Sequence, residues 1–256
     1  MIQKNYLLII TLAAIALLNG CVTNQVNVLG SDHDPDKIAQ LNLELGMAYM
    51  EKNDNEKALK KLRKAIQLDP QYADAHNAIA ILYSRLGEDN KAGAHYEKAV
   101  KLEPRNSGAL NNYGQYLCSH DQQQKADTMF KRALDNPLYQ TPEFAYLNAG
   151  ICAKGAQDLN QAESYFRAAL KQNPYMVPAL FQMADLSFSL KRYLPARGYI
   201  ERYSETAQHN AKSLWLAIQI ERALGDFDQE ASYALQLKNN FPDSQETRLF
   251  FKSEAP

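Results

Sequence analysis

Ala58-Leu-Lys-Lys-Leu-Arg-Lys-Ala65 and Ala92-Gly-Ala-His-Tyr-Glu-Lys-Ala99 decide the fold of this chain. The two stretches lie 34 residues apart, and each sets a bulky residue, Leu62 or Tyr96, between small ones. The turn pairs Asp69-Pro70 and Glu103-Pro104 repeat the same interval. Outward from there the frame continues as Ala126, Phe130 and Ala133, then as Ala162, Phe166, Ala169 and Pro174. Apolar residues at three- and four-residue spacings share one face of a helix. Proline closes the helix because it has no N–H for a further turn. A unit of this length cannot bury its apolar face alone, so successive copies must stack.

The frame resembles the tetratricopeptide pattern: a small residue at position 8, an aromatic at 11, Ala at 20, an aromatic at 24, Ala at 27 and Pro at 32. Repeat 1 starts near Ala39 and carries Gly46, Tyr49, Ala58, Leu62, Ala65 and Pro70. Repeat 2, from Ala73, carries Ala80, Tyr83, Ala92, Tyr96, Ala99 and Pro104 and matches best. Repeats 3 and 4 start near Ser107, with Gly114, and Glu143, with Gly150, and two extra residues fall within 136–142. Repeat 5, from Val177, keeps Ala184 and Ala196 but has Ser187 at position 11 and no closing Pro. Repeat 6, from Ala211, keeps its length and Phe241-Pro242, and Gln245–Phe251 is expected to cap the stack. The expected fold is all-α, a right-handed superhelical solenoid of about six tetratricopeptide repeats. They occupy 39–72, 73–106, 107–142, 143–176, 177–210 and 211–244 within a domain over 38–256.

Bulk composition narrows the function. The 256 residues are 46% hydrophobic, with Lys+Arg 28 against Asp+Glu 29 and a net charge of −1. This is enough apolar content for a core, and it lacks the basic excess of nucleic-acid binders. It equally gives no case for attraction to a membrane through a polybasic surface. The N-terminus offers another route. After Lys4, the run from Leu7 to Leu18 is apolar and is closed by Asn19, Gly20 and Cys21. A bilayer-spanning helix needs about 20 residues, so this run has instead the length of a secretory h-region. Leu18-Asn19-Gly20-Cys21 resembles a bacterial lipobox, with Asn19 departing from the usual Ala, Ser or Thr. The resemblance implies a signal peptide over 1–20, a diacylglyceryl group on the Cys21 thiol and an acylated (palmitate-type) amino terminus. Acyl chains contribute about 0.8 kcal/mol per buried CH₂, so three of them anchor a protein firmly. Val22 rather than Asp after the Cys resembles the sorting pattern for the outer membrane. Residues 21–37 then read as the lipidated N-terminus and a flexible tether, with Gly30, Asp32, Asp34 and Pro35. Within it Ser31-Asp32-His33-Asp34 is too loosely spaced for a metal site and reads as a solvated turn.

With Cys21 assigned to lipid, Cys118 and Cys152 form an even pair in an exported chain. They occupy positions 12 and 10 of consecutive first helices, which stack side by side, so a disulfide across the repeat 3–repeat 4 junction is expected. First helices also line the concave groove, through positions 2, 5, 9 and 12. A partner-binding groove is expected at Leu43, Met47, Asn77, Ile81, Asn111 and Gln115, where amides would bond a peptide backbone and apolar residues receive its side chains. Phe144, Leu147, Ile151, Phe181, Phe188 and Trp215 extend these positions into the later repeats. Leu43 and Met47 stand where chaperone-binding repeats clamp a carboxylate, which argues against that mode. The five His residues (33, 76, 95, 120, 209) have no ligand spacing, and no phosphate loop or nucleophile elbow occurs. The chain therefore reads as a protein-binding scaffold, not an enzyme, with no cofactor, metal or small-molecule substrate.

Three segments carry a narrower resemblance: Asn111-Asn-Tyr-Gly-Gln-Tyr-Leu-Cys118, Leu147-Asn-Ala-Gly-Ile-Cys152 and Ala133-Leu-Asp-Asn-Pro-Leu-Tyr-Gln-Thr-Pro142. With the lipobox and six repeats, they resemble the type IV pilus biogenesis and stability lipoproteins of the PilW/PilF kind. That resemblance implies a pilotin: an outer-membrane lipoprotein facing the periplasm that binds the secretin subunit and promotes its localisation and multimerisation, or that stabilises pili. The other reading is a different envelope adaptor, for outer-membrane protein assembly or a peptidoglycan enzyme.

Overall fold

The computed structural model describes residues 34–254; Cys21, the expected signal peptide and most of the expected tether lie outside the described residues. Thirteen helices and no strand occur among the described residues. They are α1 (Pro35–Glu51), α2 (Asn55–Leu68), α3 (Ala73–Arg85), α4 (Asp89–Leu102), α5 (Ser107–Ser119), α6 (Gln123–Leu134) and α7 (Pro142–Gly155). The remainder are α8 (Leu159–Gln172), α9 (Val177–Ser189), α10 (Tyr193–Thr206), α11 (Ala211–Leu224), α12 (Phe227–Asn240) and α13 (Gln245–Glu254). Each odd helix from α1 to α11 packs on the even helix that follows and on the odd helix of the next repeat, and α13 packs on α11 and α12. The described residues thus form an all-α tetratricopeptide solenoid of six helix pairs with a closing helix.

One boundary moves. The sequence assigns residues to 37 to the tether, but α1 begins at Pro35. Asp34 caps it by accepting from the Asp36 N–H at 3.1 Å, and Pro35 stands in the first turn, where its missing N–H is harmless.

The turn inside each pair is the same in all six repeats. Its left-handed residue is Asn53, Gly87, Asp121, Gln157, Lys191 or Gly225, with φ between 56° and 76°. Position 15 therefore reverses the chain identically in the conforming and the degraded repeats. Asp54, Asn106, Asp158 and Asp226 cap the helices that follow them through side-chain bonds of 3.0–3.2 Å to backbone N–H groups.

Packing explains the small residue at position 8. A Cβ on Gly150 would stand 2.5 Å from Phe166, one on Gly114 would stand 2.7 Å from Phe130, and one on Gly46 would stand 2.6 Å from Leu62. Those distances are far inside van der Waals contact, so glycine is what lets the paired helix bring a large residue at position 24 up to the backbone. Repeat 6 inverts the arrangement: Ile218 holds position 8 and Ala234 holds position 24, both buried. The summed volume at the two positions is what the fold fixes, and repeat 6 satisfies it from the opposite helix.

The core is unevenly divided. Most of the buried apolar residues between Leu147 and Phe250 form one continuous cluster through repeats 4, 5 and 6 and α13, with Ala149 and Cys152 outside it. Ahead of it are three separate clusters, one from Leu43 to Tyr96, one around Val100, Leu110 and Ala133, and one around Leu117, Phe130 and Cys152.

Candidate partner-binding groove and its clasp

The first helices α3, α5 and α7 present a row of amide side chains. Asn112 Nδ2 donates to Asn77 Oδ1 at 3.2 Å, and Asn148 Nδ2 donates to Asn111 Oδ1 at 3.1 Å. Gln115 Nε2 reaches Asn148 Oδ1 at 3.5 Å. Two of these residues, Asn112 and Asn148, stand at position 6 of their repeats, outside the set of positions expected to line the groove. A signal for them was present: each is an Asn two residues before the position-8 glycine. Gln182 continues position 6 into repeat 5, where its Oε1 accepts from Lys154 Nζ at 3.1 Å, and Lys154 also pairs with Asp185.

The expected groove residues divide by environment. Met47 is 50% exposed and Gln115 is exposed, while Asn77 and Ile81 are half-buried. Asn111 is nearly buried, and its amide is engaged in the ladder. Leu43 is a correction: it is buried in the cluster with Met50, Ile79 and Leu82 and offers no surface to a partner. Its burial comes from the next repeat, whose α3 presents Ile79 and Leu82 to position 5. Leu147 is likewise buried, whereas Phe144 and Ile151 are exposed along α7. Phe181, Phe188 and Trp215 pack against the continuous rear cluster. The surface that can receive a partner is therefore an amide row over α3, α5 and α7, flanked by Met47 and Ile81 on one side and Phe144 and Ile151 on the other.

Cys118 and Cys152 are joined by a disulfide, with Cα atoms 5.8 Å apart. Cys118 lies seven residues after Asn111 and Cys152 four after Asn148, so each sulfur sits on the same helical stripe as a ladder amide. The bond ties α5 to α7, the two helices whose registers set the Asn111–Asn148 hydrogen bond.

Amides both donate and accept, and each ladder Asn retains hydrogen-bonding capacity beyond its bond to the neighbour. An extended peptide backbone, with alternating N–H and C=O groups, matches that pattern. The histidines lie elsewhere. His76 Nε2–H donates to the Pro70 carbonyl at 3.1 Å, leaving its Nδ1 to accept from His95 Nδ1–H at 2.8 Å. Burial, and then the neighbouring His76, depress His95 to about 4; burial also lowers His76. His209 is lowered by burial too and stacks on Tyr203. These are neutral packing groups. Among the described residues no three His, Cys, Asp or Glu side chains converge in a way that could hold a metal, and no helix is long and apolar enough to cross a membrane.

Comparison with known proteins extends the internal repeat to relatives. Tetratricopeptide-repeat patterns match residues 46–87, 73–106, 95–128 and 145–175. Over 234 residues the chain is 33% identical to the type IV pilus assembly protein PilF of Pseudomonas aeruginosa, covering 91% of this chain and 93% of that one. The chain belongs to the PilF family of type IV pilus biogenesis proteins. The solved structure of PilF from that organism superposes with a TM-score of 0.78 at 32% identity, over 86% of this chain and 99% of PilF. PilW, a type IV pilus biogenesis factor, superposes with a TM-score of 0.79 at 28% identity, over 84% of this chain and 99% of PilW. Across this PilF-type family the likeness runs through nearly the whole chain, including the pattern-poor repeats 5 and 6.

Proposed function

We propose that this protein is an outer-membrane lipoprotein of the pilotin type, anchored through Cys21 and facing the periplasm. In this reading its groove binds a segment of the secretin subunit of the type IV pilus machinery and promotes secretin localisation and multimerisation. The observation that carries the proposal is the near end-to-end match to a type IV pilus assembly protein. The groove adds the means: its amide row supports an extended backbone, and Met47, Ile81, Phe144 and Ile151 supply apolar contacts to alternate side chains. The disulfide between Cys118 and Cys152 is part of the proposal, since an oxidising periplasm would form and keep it.

Two experiments test this reading. Cys21→Ala should release the protein from the membrane fraction and mislocalise the secretin. Asn77→Arg with Ile81→Glu should abolish recovery of the secretin with the purified protein while leaving the helical circular dichroism unchanged. Undiminished capture by the second variant would remove the groove from the mechanism.

A further inference from the structure

The chain's net charge of −1 conceals a segregation of charge along its even-numbered helices. Helix α2 carries Lys57, Lys60, Lys61, Arg63 and Lys64 against Glu56 alone, a net of +4 in fourteen residues. Helix α12, at the far end, carries Asp228 and Glu230 against Lys238, a net of −1. Lys57, Lys60, Lys61 and Lys64 recur at three- and four-residue spacing and so share one face of α2, turned away from the buried Ala58, Leu62 and Ala65. Lys57, Lys60, Arg63 and Lys64 are exposed, and Lys61 is half-buried. Lys57 pairs with Asp54, and Arg63 donates to the Tyr83 hydroxyl at 3.1 Å. Among the described residues Lys60, Lys61 and Lys64 form no ion pair. The whole-chain balance therefore misleads about membranes, because the positive charge is concentrated on one helix.

The position of that helix selects its occupant. Only twelve residues, 22–33, separate Cys21 from the cap residue Asp34, and the thirteen Cα-to-Cα steps between the two span at most about 45 Å. If Cys21 carries lipid, as proposed above, repeat 1 is held near a bilayer and α2 is the basic helix of that repeat. We infer that the exposed face of α2 docks on a surface of anionic phospholipid headgroups. This docking would orient the stack with its basic end toward the membrane and α12 away from it. Basic side chains close to an anionic leaflet are attracted within a screening length of it.

The experiment has two arms, so that the anchor and the basic face can fail separately. In the first, unlipidated protein of residues 22–256, which contains every described helix, is sedimented in low salt. The vesicles are of phosphatidylethanolamine alone or mixed with phosphatidylglycerol. Binding should require phosphatidylglycerol, vanish in 1 M salt, where the screening length is about 3 Å, and fall at least tenfold on Lys60→Glu/Lys61→Glu/Lys64→Glu. Lys60 and Lys64 are exposed and Lys61 is half-buried, and an unchanged helical circular dichroism spectrum checks that the variant keeps the fold. Equal binding to both vesicles, or by the variant, overturns the proposal. In the second arm the lipidated full-length protein is reconstituted into the same vesicles and treated with a water-soluble amine reagent. Relative to Lys238, modification of Lys60, Lys61 and Lys64 should fall at least threefold when phosphatidylglycerol is present. Partition without that protection overturns the docking of α2 and leaves the anchor standing. Failure to partition, with the first arm positive, overturns the anchor and leaves the basic face standing. Protection seen in native membranes but not on phosphatidylglycerol vesicles assigns the face to an acidic protein and overturns the lipid.

Discussion

Repeats 1 to 3 and repeats 5 to 6 are held together differently, and the difference runs against the quality of their sequence pattern. The earlier repeats match the tetratricopeptide frame well, yet their buried residues fall into separate clusters, two of them with only five members. The later repeats match poorly, yet their buried residues belong to a single cluster that begins in repeat 4 and extends into α13. The pattern records how closely two helices of one repeat approach, through pairs such as Gly150 and Phe166. It does not record whether apolar contact continues from one repeat to the next. The disulfide lies in the small cluster of Leu117, Phe130 and Cys152, which bridges repeats 3 and 4 and holds the register of the amide ladder.

The comparison can be broken most forcefully with Phe166→Ala and Phe130→Ala, since both side chains are fully buried. Each should destabilise by about 3–5 kcal/mol in urea unfolding. In hydrogen exchange Phe166→Ala should loosen α8 to α11, whereas Phe130→Ala should act within α5 to α7. Equal spread in the two variants would refute the division of the core. Adding Gly150→Ile to Phe166→Ala should recover part of the loss by copying the Ile218–Ala234 arrangement of repeat 6. Next in size is Cys118→Ala/Cys152→Ala. The bond closes a loop of 34 residues, and its removal should lower stability by about 3–4 kcal/mol in the chain-entropy model. Exchange should rise in α5 and α7 and stay unchanged in α11, because a repeat array responds locally.

Acid probes both regions more gently. His95 is depressed to about 4 in the folded chain against about 6.5 when unfolded, so the unfolded chain takes up the proton first as pH falls. Stability is complete at pH 7 and should decline between about pH 6.5 and pH 4, by on the order of 1–2 kcal/mol. His95→Gln should flatten most of that decline in thermal melts, leaving the shares of His76 and His209, which are also lowered. The smallest effect concerns the shared turn. Lys191 holds a φ of 57°, which glycine adopts without strain, so Lys191→Gly should raise stability by about 0.5–1 kcal/mol. Loss of stability on that change would mean that the degraded repeat does not share the turn geometry of the others.

The fold was legible because its determinants are local. Small residues at positions 8 and 20 and the Pro that follows the second helix recur at a fixed interval and need no partner to be recognised. Repeat 6 hid its membership because Ile218 and Ala234 conserve a volume shared between two helices, and a residue-by-residue pattern sees only two mismatches. The groove was legible in part. Asn77, Ile81 and Gln115 lie where position alone puts them. Leu43 does not, because the burial of position 5 depends on what the adjacent repeat presents, here Ile79 and Leu82. Asn112 and Asn148 escaped because position 6 acquires its role only when the neighbouring first helix brings an amide within 3.2 Å. The basic face escaped for a different reason: a sum over the whole chain cancels what one helix concentrates.

The amide ladder has a consequence for the lifetime of any complex formed there. Asn112 already donates to Asn77 and Asn148 to Asn111 in the free protein, so an arriving backbone meets only the amide groups that these bonds leave free. Each new bond replaces one that the free amide group made to water, and its net gain is small. With α5 and α7 fixed by the disulfide, little reorganisation precedes contact, which favours rapid arrival. A surface that gains contacts quickly but gains little per contact also lets go readily. If the groove holds a partner segment as proposed, dwell times there are governed by the few apolar side chains at its edges.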